Sequence, residues 1–352
     1  MSCEGLLPVN MQTAVPDNSQ IYYHGQYWND FRLVLEYMCE SFTGNKNKWW
    51  VQDFKERFCQ KPFEHALVLN CGNGWVEREL IDLGIVKRVT AFDFLLDLLR
   101  IAEKARGGRP ISYFQADANK IDFGENQFDL IVNVASLHHV QYLNRLCHVM
   151  CKAIAEDGIL VNYDYIGPHR NQYPFKQWFY INQVNRSLPD SIKKSPIVKP
   201  HLPTMIYDDP TEAIHSDLII ESVARYFEII ERHDTGGGVA YELLTNNPKL
   251  KNVPAEELDL HIEKILKLDK EYTDLKRVPP LFSYFLAKPR KSLLSDKTKL
   301  DDYQKEEDLR EQKARKRHGV YSNRQYLMLI AHSLWSKVLW FRRKLWGRLK
   351  NT

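Results

Sequence analysis

Residues 66–80 read ALVLNCGNGWVEREL, an apolar run that stops at Gly72-Asn73-Gly74. After the turn, apolar residues recur every three or four positions, the spacing of one face of a helix. The stretch therefore predicts a strand, a glycine turn and a helix in succession. Backbone N–H groups at such a turn, together with the helix dipole, favour negative or polar groups of a ligand. This turn is the first candidate binding site.

The alternation of strand and helix continues along the chain. One predicted helix runs from Leu143 to Ile154, and Asp157-Gly158 is expected to end it. Strands that alternate with helices and are apolar on both faces predict a doubly wound α/β fold, with a mostly parallel sheet covered on both sides. The seven predicted strands cover residues 66–70, 88–94, 111–117, 128–134, 159–165, 226–234 and 281–289.

Composition divides the chain into four parts. The main domain carries an insertion on the side expected to face the substrate. The predicted parts are an aromatic-rich helical cap (1–60), the α/β domain (61–289, with the insertion at 167–222), a charged linker (290–320) and a basic amphipathic helix (321–352).

Charge is distributed unevenly over the 352 residues. From Lys288 onward there are 18 Lys and Arg against 7 Asp and Glu, whereas residues 1–287 hold 31 against 38. A mildly acidic body argues against nucleic acid as a partner, because phosphate-binding proteins carry positive charge on the working face. The six cysteines form no CxxC pair, so we predict neither a metal site nor disulfides, and a cytoplasmic location. No apolar stretch of signal-peptide length follows Met1.

Two classes of ligand use a strand, a glycine turn and a helix. Dinucleotide enzymes need a third small residue so that the helix packs close to the strand beneath the pyrophosphate. Glu77 occupies that position here and opposes a pyrophosphate by size and by charge. An NAD-dependent oxidoreductase is therefore disfavoured.

Four short motifs follow one another at the predicted strand ends: LNCGNG, AFDF, QADA and VNVASLHH. In this order they resemble the class I S-adenosylmethionine-dependent methyltransferases, over about residues 60–165. The resemblance implies a Rossmann-like methyltransferase fold with S-adenosylmethionine as cofactor. It implies that Asp93 accepts hydrogen bonds from the ribose hydroxyls and that Asp117 and Ala118 meet the adenine. The full set of implied cofactor-binding residues is Asn70, Cys71, Gly72, Gly74, Asp93, Phe94, Asp117, Ala118 and Asn133.

A closer likeness is to a bacterial branch with LHH after the fourth strand, Y-[VI]-G-P after the fifth and DP-[ST]-E-A before the sixth. The chain has these motifs at residues 137–139, 165–168 and 209–213. It departs from the wider family at Asn70, where the first glycine stands, and at Val68, where an acid is common. Asparagine tolerates unusual backbone angles well.

Two residues are candidates for the base that a hydroxyl acceptor would need, Asp164 and His138. Asp164 lies near the end of the fifth strand, at the sheet edge where ligands of open parallel sheets lie. The first hypothesis is a methyltransferase acting on a small molecule, a sugar or glycolipid hydroxyl being the narrower guess. The second is a non-catalytic cofactor-binding scaffold, for which Asn70 and Val68 are the support.

The C-terminal stretch combines an apolar helical face with basic residues and three tryptophans between Tyr326 and Trp346. Its continuous apolar run is too short to span a bilayer. A helix lying at the inner face of the membrane fits the composition, and docking on the chain's own domain or on a partner fits it equally.

Overall fold

The computed structural model describes residues 26–295 and 298–317. Its centre is one seven-stranded sheet in the order β3-β2-β1-β4-β5-β7-β6, in which β7 runs antiparallel to both of its neighbours. The doubly wound, mostly parallel α/β fold predicted from the sequence is thereby confirmed. The strands are β1 Ala66–Leu69, β2 Val89–Asp93, β3 Ile111–Gln115, β4 Phe128–Val134, β5 Ile154–Tyr165, β6 Phe227–Thr235 and β7 Phe282–Pro289.

Helices cover both faces of the sheet because the inner strands are apolar on both sides; all four residues of β1 are buried. The α-helices are α1 Arg32–Thr43, α2 Trp50–Phe58, α3 Trp75–Asp82, α4 Leu96–Arg106, α5 Leu143–Ala153, α6 Phe175–Ser187, α7 Leu202–Asp208, α8 Ile219–Tyr226, α9 Ala240–Leu244, α10 Ala255–Asp274 and α11 Thr298–Arg317. Short 3-10 helices lie at Trp28–Asp30, Leu137–His139, His169–Asn171, Ser216–Leu218, Pro248–Asn252 and Lys291–Ser295.

Successive residues of β1 belong to different cores. Ala66 and Val68 pack with the aromatic residues of α1 and α2, whereas Leu67 and Leu69 pack with α5 and α8. This is the alternation expected of a strand buried on both sides. The carboxyl ends of the parallel strands therefore meet at one sheet edge, between the two helical layers.

The boundary between α5 and β5 differs from the prediction. The helix ends at Ala153 and β5 already includes Asp157 and Gly158, which were expected to break a helix. Ile154 pairs with Phe128 of β4, and the register then shifts before Leu130 pairs with Ile159. Long-range pairing thus extends the strand past residues that look like a turn locally.

Residues 290–320, predicted as a charged linker, contain helix α11, which packs on the domain. Glu307 is buried and accepts hydrogen bonds from the backbone and side-chain nitrogens of Asn144, at 3.1 and 2.7 Å. Arg310, three residues further along the helix, pairs with Asp217. A helix with a highly charged sequence docks here because its acids meet specific polar partners.

The predicted amphipathic helix over residues 321–352 lies outside the described part of the chain. Among the described residues, no helix combines the length and apolar character needed to cross a membrane.

Candidate active site

A cavity of about 610 Å³ opens at the carboxyl edge of the sheet. Ends of β1, β2, β4 and β5 form its floor, and the loop at residues 209–212 lies over one end. Its lining includes eight of the eleven predicted site residues: Asn70, Cys71, Gly72, Asp93, Phe94, Asp117, Ala118 and, at the far end, His138. Three others, Gly74, Asn133 and Asp164, lie behind this lining.

Asp93 ends β2 and fixes the glycine turn. Its Oδ2 accepts a hydrogen bond from the N–H of Gly72 at 2.8 Å, and its Oδ1 accepts one from the N–H of Leu95 at 2.8 Å. Each carboxylate oxygen has two lone pairs, so each retains one that can accept from a ligand. Burial raises the pKa of Asp93, and the backbone donors around it oppose that shift. An acid with two oxygens at the cavity wall suits a pair of vicinal hydroxyls, the arrangement of a ribose.

The turn itself depends on left-handed backbone. Asn70 has φ 42°, which confirms that asparagine substitutes for glycine in this conformation, and its amide donates to Ser136 Oγ at 3.3 Å. Gly74 has φ 75° and faces away from the cavity: a Cβ there would lie 2.4 Å from the hydroxyl of Tyr113 and 2.9 Å from Cβ of Ala102. The structure thus gives Gly74 a packing role, whereas its predicted contact with the cofactor stays a prediction.

Asp117 and Ala118 line the cavity beyond β3, opposite Phe94, which is 38% exposed. Asp117 Oδ1 accepts from the backbone and side-chain nitrogens of Asn119, at 2.9 and 3.1 Å. These contacts hold the Asp117 carboxylate at the lip of the cavity. Phe94 and Ala118 provide apolar surface on which an adenine ring can lie.

Glu77 lies beneath the glycine turn in the first turn of α3 and is fully buried. Burial raises its pKa to about 8, and the smaller opposing effects come from its own backbone N–H and the Cys71 thiol. Among the described residues, neither carboxylate oxygen has a partner in hydrogen-bond geometry. At neutral pH the side chain is therefore protonated and occupies the space that a dinucleotide-binding turn reserves for a small residue.

Asp164 is completely buried, and its predicted contact with an acceptor is not what the structure shows. Its Oδ2 accepts from Asn133 Nδ2 at 2.7 Å and from the backbone N–H groups of Ser136 and Leu137, at 3.1 and 2.7 Å. Its Oδ1 lies 2.6 Å from Nδ1 of His138. Strand alternation explains this: Asn133 and Asn162 are paired on β4 and β5, and Asp164 is two residues further along the same face. Asp164 therefore positions the 137–139 turn and the imidazole of His138.

His138 and His139 lie side by side, with ring centroids 4.2 Å apart, and both reach the cavity. Burial lowers the pKa of His138, but the nearby Asp164 and Glu212 outweigh this and raise it to about 9. Burial and the neighbouring His138 lower the pKa of His139. Sequence reasoning singled out His138, but it did not find Glu212, whose Oε2 lies 3.9 Å from Nε2 of each histidine.

Aromatic side chains form the wall opposite the glycine turn. Trp28, from the N-terminal cap, stacks on Phe282 of β7 with ring centroids 5.0 Å apart. Tyr165 meets Phe282 edge to face at 5.5 Å. This end of the cavity is lined by the aromatic residues Trp28, Trp49, Tyr163, Tyr165, Tyr241 and Phe282. The cap and β7 thereby provide an apolar compartment next to the cofactor end.

Helix α11 supports the loop that carries Glu212. Arg170 is fully buried; its Nη1 donates to the carbonyl of Glu212 at 3.0 Å and its Nη2 to Glu311 at 2.7 Å. Burial alone would raise the pKa of Glu311, but His169, Arg170 and Arg315 lower it well below its usual value. The carboxylate of Glu311 is thus ionised and holds the guanidinium that anchors the Glu212 backbone.

The sheet order, the glycine turn and a ribose-suited acid at the end of β2 define a class I S-adenosylmethionine-dependent methyltransferase domain. The family described as "Methyltransferase domain" matches residues 67–162, which assigns this part of the chain to that family. S-adenosylmethionine is therefore its cofactor, and the cavity residues fit it, since Asp93 retains acceptor capacity for two hydroxyls.

Curated relatives match the same region. Malonyl-[acyl-carrier protein] O-methyltransferase of Bacillus cereus is 25% identical over 107 residues, covering 30% of this chain and 39% of the relative. Demethylmenaquinone methyltransferase of Leptospira interrogans is 30% identical over 129 residues, covering 34% of this chain and 50% of the relative. The chain thus spans half or less of the length of these two relatives. A solved S-adenosylmethionine-dependent methyltransferase from Mesorhizobium loti is 18% identical, with 65% of this chain and 91% of that chain covered and a TM-score of 0.42.

Proposed function

We propose that the protein transfers the methyl group of S-adenosylmethionine to a small-molecule acceptor held between the aromatic wall and the histidine pair. The observation that carries the proposal is the continuity of the cavity. It runs from Asp93, at the cofactor end, to Trp28 and His138. This far end is not needed to hold the nucleoside of the cofactor, so it is available to an acceptor. The name of one curated relative, demethylmenaquinone methyltransferase, supports a small acceptor, and the apolar wall favours one with a flat or hydrophobic body.

The protein's own contribution is to place the acceptor and to exclude water. When bound, S-adenosylmethionine supplies an electrophilic methyl group and its own leaving group. Trp28 and Phe282 close the apolar side of the cavity, so the acceptor atom is held in line at low water content. At the end of the cavity that His138 lines, polar side chains are available to an oxygen atom of the acceptor.

The direct test is a screen with the purified full chain. Release of S-adenosylhomocysteine and transfer of tritiated methyl groups are measured over a library of small hydroxyl, carboxyl and ring acceptors and over cell extracts. Turnover with at least one acceptor is expected. Binding of S-adenosylmethionine without transfer to any acceptor would contradict the proposal and favour the scaffold hypothesis.

Asp164→Asn tests the positioning of the histidine. We expect turnover to fall strongly while affinity for S-adenosylhomocysteine stays near that of the wild type, because Asp164 contacts His138 and not the cavity. Asp157→Asn, an exposed acid on the same strand, is the matched control. Unchanged turnover in Asp164→Asn would remove Asp164 from the mechanism.

The narrower proposal, a sugar or glycolipid hydroxyl at the inner face of the membrane, depends on residues 321–352. Sedimentation with anionic liposomes, for the full chain and for a chain ending at residue 320, tests it. Equal sedimentation of the two chains would argue against the membrane and leave the cytoplasm as the proposed location.

A further inference from the structure

Three potential metal ligands of the cavity come from two distant segments of the chain. His138 and His139 lie in the turn after β4, and Glu212 lies in the loop before β6. One ligand atom from each of the three residues lies within 4.8 Å of the other two. Both Nε2 atoms are 3.9 Å from the same oxygen, Oε2 of Glu212. All three residues line the cavity, at the acceptor end.

A second set of contacts orients the two imidazoles. Nδ1 of His138 lies 2.6 Å from Oδ1 of the fully buried Asp164, and Nδ1 of His139 lies 3.0 Å from Oγ1 of Thr211. Thr211 Oγ1 in turn donates to Oδ1 of Asp209 at 2.7 Å, so its oxygen accepts the Nδ1 proton of His139. With Nδ1 of each ring held as a donor, each Nε2 is directed toward Glu212.

This is the arrangement by which proteins orient metal-binding histidines. The ligating imidazole donates its other N–H to a carboxylate, hydroxyl or carbonyl, which fixes the tautomer and the ring direction. Two imidazole nitrogens and one carboxylate oxygen suit Zn²⁺, Mn²⁺, Fe²⁺ or Co²⁺ and leave coordination positions open. Tetrahedral bonds of about 2.1 Å separate ligand atoms by about 3.4 Å. The distances of 3.9 Å from each Nε2 to Oε2 shorten to about 3.4 Å if these side-chain atoms move by a few tenths of an ångström.

We propose that His138, His139 and Glu212 bind one divalent transition-metal ion at the acceptor end of the cavity. The ion compensates the negative charge of the partly exposed Glu212 and of the fully buried Asp164. Its open positions face the aromatic compartment, where a hydroxyl or carboxyl oxygen of the acceptor can bind. The proposed metal binding depends only on the geometry of the three side chains. The proposed role of the ion in orienting an acceptor depends also on the proposed methyl transfer.

Metal titration of the full chain tests the site. The purified protein is treated with chelator, dialysed and titrated with Zn²⁺ and Mn²⁺ by calorimetry, and bound metal is quantified after gel filtration. We expect one equivalent per chain. Glu212→Gln is expected to lower the affinity at least tenfold, and Asp164→Asn, which disturbs the 137–139 turn and the orientation of His138, about 10- to 100-fold.

His201→Gln, an exposed histidine outside the cavity, is the matched control and should bind metal like the wild type. Co²⁺ absorption gives a second readout, because nitrogen and oxygen ligands produce d–d bands without the sulfur charge-transfer bands of the buried cysteines. No stoichiometric metal, or equal affinity in the wild type and Glu212→Gln, overturns the proposal. Affinity for S-adenosylhomocysteine is measured in parallel. If the wild type does not bind S-adenosylhomocysteine, the methyltransferase function is contradicted. If it binds S-adenosylhomocysteine but no metal, only the metal site is contradicted.

Discussion

Replacing Glu77 by Gln should change how the stability of the protein depends on pH. The side chain is fully buried beneath the glycine turn, and burial raises its pKa from 4.5 to about 8. Because the folded pKa lies above the unfolded one, the native state holds a proton that the unfolded state loses. The contribution of Glu77 to stability is therefore fully present below pH 4.5 and is lost as the pH rises toward 8.

The size of the pH effect on the free energy of unfolding follows from the one proton that the folded protein holds on Glu77 and the unfolded chain releases. Between pH 5 and pH 7 the difference in bound protons is close to one, so the free energy of unfolding falls by about 1.4 kcal/mol per pH unit, about 3 kcal/mol in total. Glutamine keeps the size of the side chain but does not titrate. The stability of Glu77→Gln relative to the wild type should thus rise by about 3 kcal/mol over this range.

Urea denaturation at pH 5, 6 and 7 measures the difference between the two proteins, and effects of other groups cancel in it. Glu228→Gln, at an exposed position on the edge strand β6, is the surface control and should show no such trend. A stability difference between Glu77→Gln and the wild type that is constant with pH would refute the assignment of a protonated acid beneath the turn.

Two further predictions concern packing and ion pairing, and both are read from urea denaturation. Gly74→Ala should cost about 2–4 kcal/mol, since its Cβ meets side chains below 3 Å and its φ is positive. Gly84→Ala, with a positive φ but no atom within 4 Å, should cost only about 1–2 kcal/mol; equal losses would refute the packing argument. Glu311→Gln should cost about 3–5 kcal/mol because it leaves the buried Arg170 guanidinium without its carboxylate, and a loss below 1 kcal/mol would contradict that role.

The fold could be predicted because its signals are local. Each inner strand is a short apolar run followed by a turn, and the glycines at 72 and 74 lie where the backbone takes positive φ. The end of α5 was misplaced because the pairing of Ile154 with Phe128, which no local pattern encodes, outweighs Asp157-Gly158 as a turn signal.

The cofactor end of the site was predicted more fully than the acceptor end for the same reason. Asp93 follows directly from the strand that precedes it. Glu212 joins His138 across 74 positions, and the docking of α11 depends on the contact between Glu311 and Arg170, which are 141 positions apart. Strand alternation, which turns Asp164 away from the cavity, could have been applied to the sequence, but the exact end of β5 decides its outcome.

Calorimetry with S-adenosylmethionine and S-adenosylhomocysteine tests the central claim most directly, namely that the ribose is held by Asp93 at the first strand-to-helix turn. The wild type should bind both ligands. Asp93→Asn should weaken binding about 10- to 100-fold, since it removes one charged acceptor worth about 1.5–3 kcal/mol, and Asp97→Asn, a partly exposed acid four residues on, should bind normally. Absence of binding by the wild type, or equal affinity in Asp93→Asn, would contradict the account.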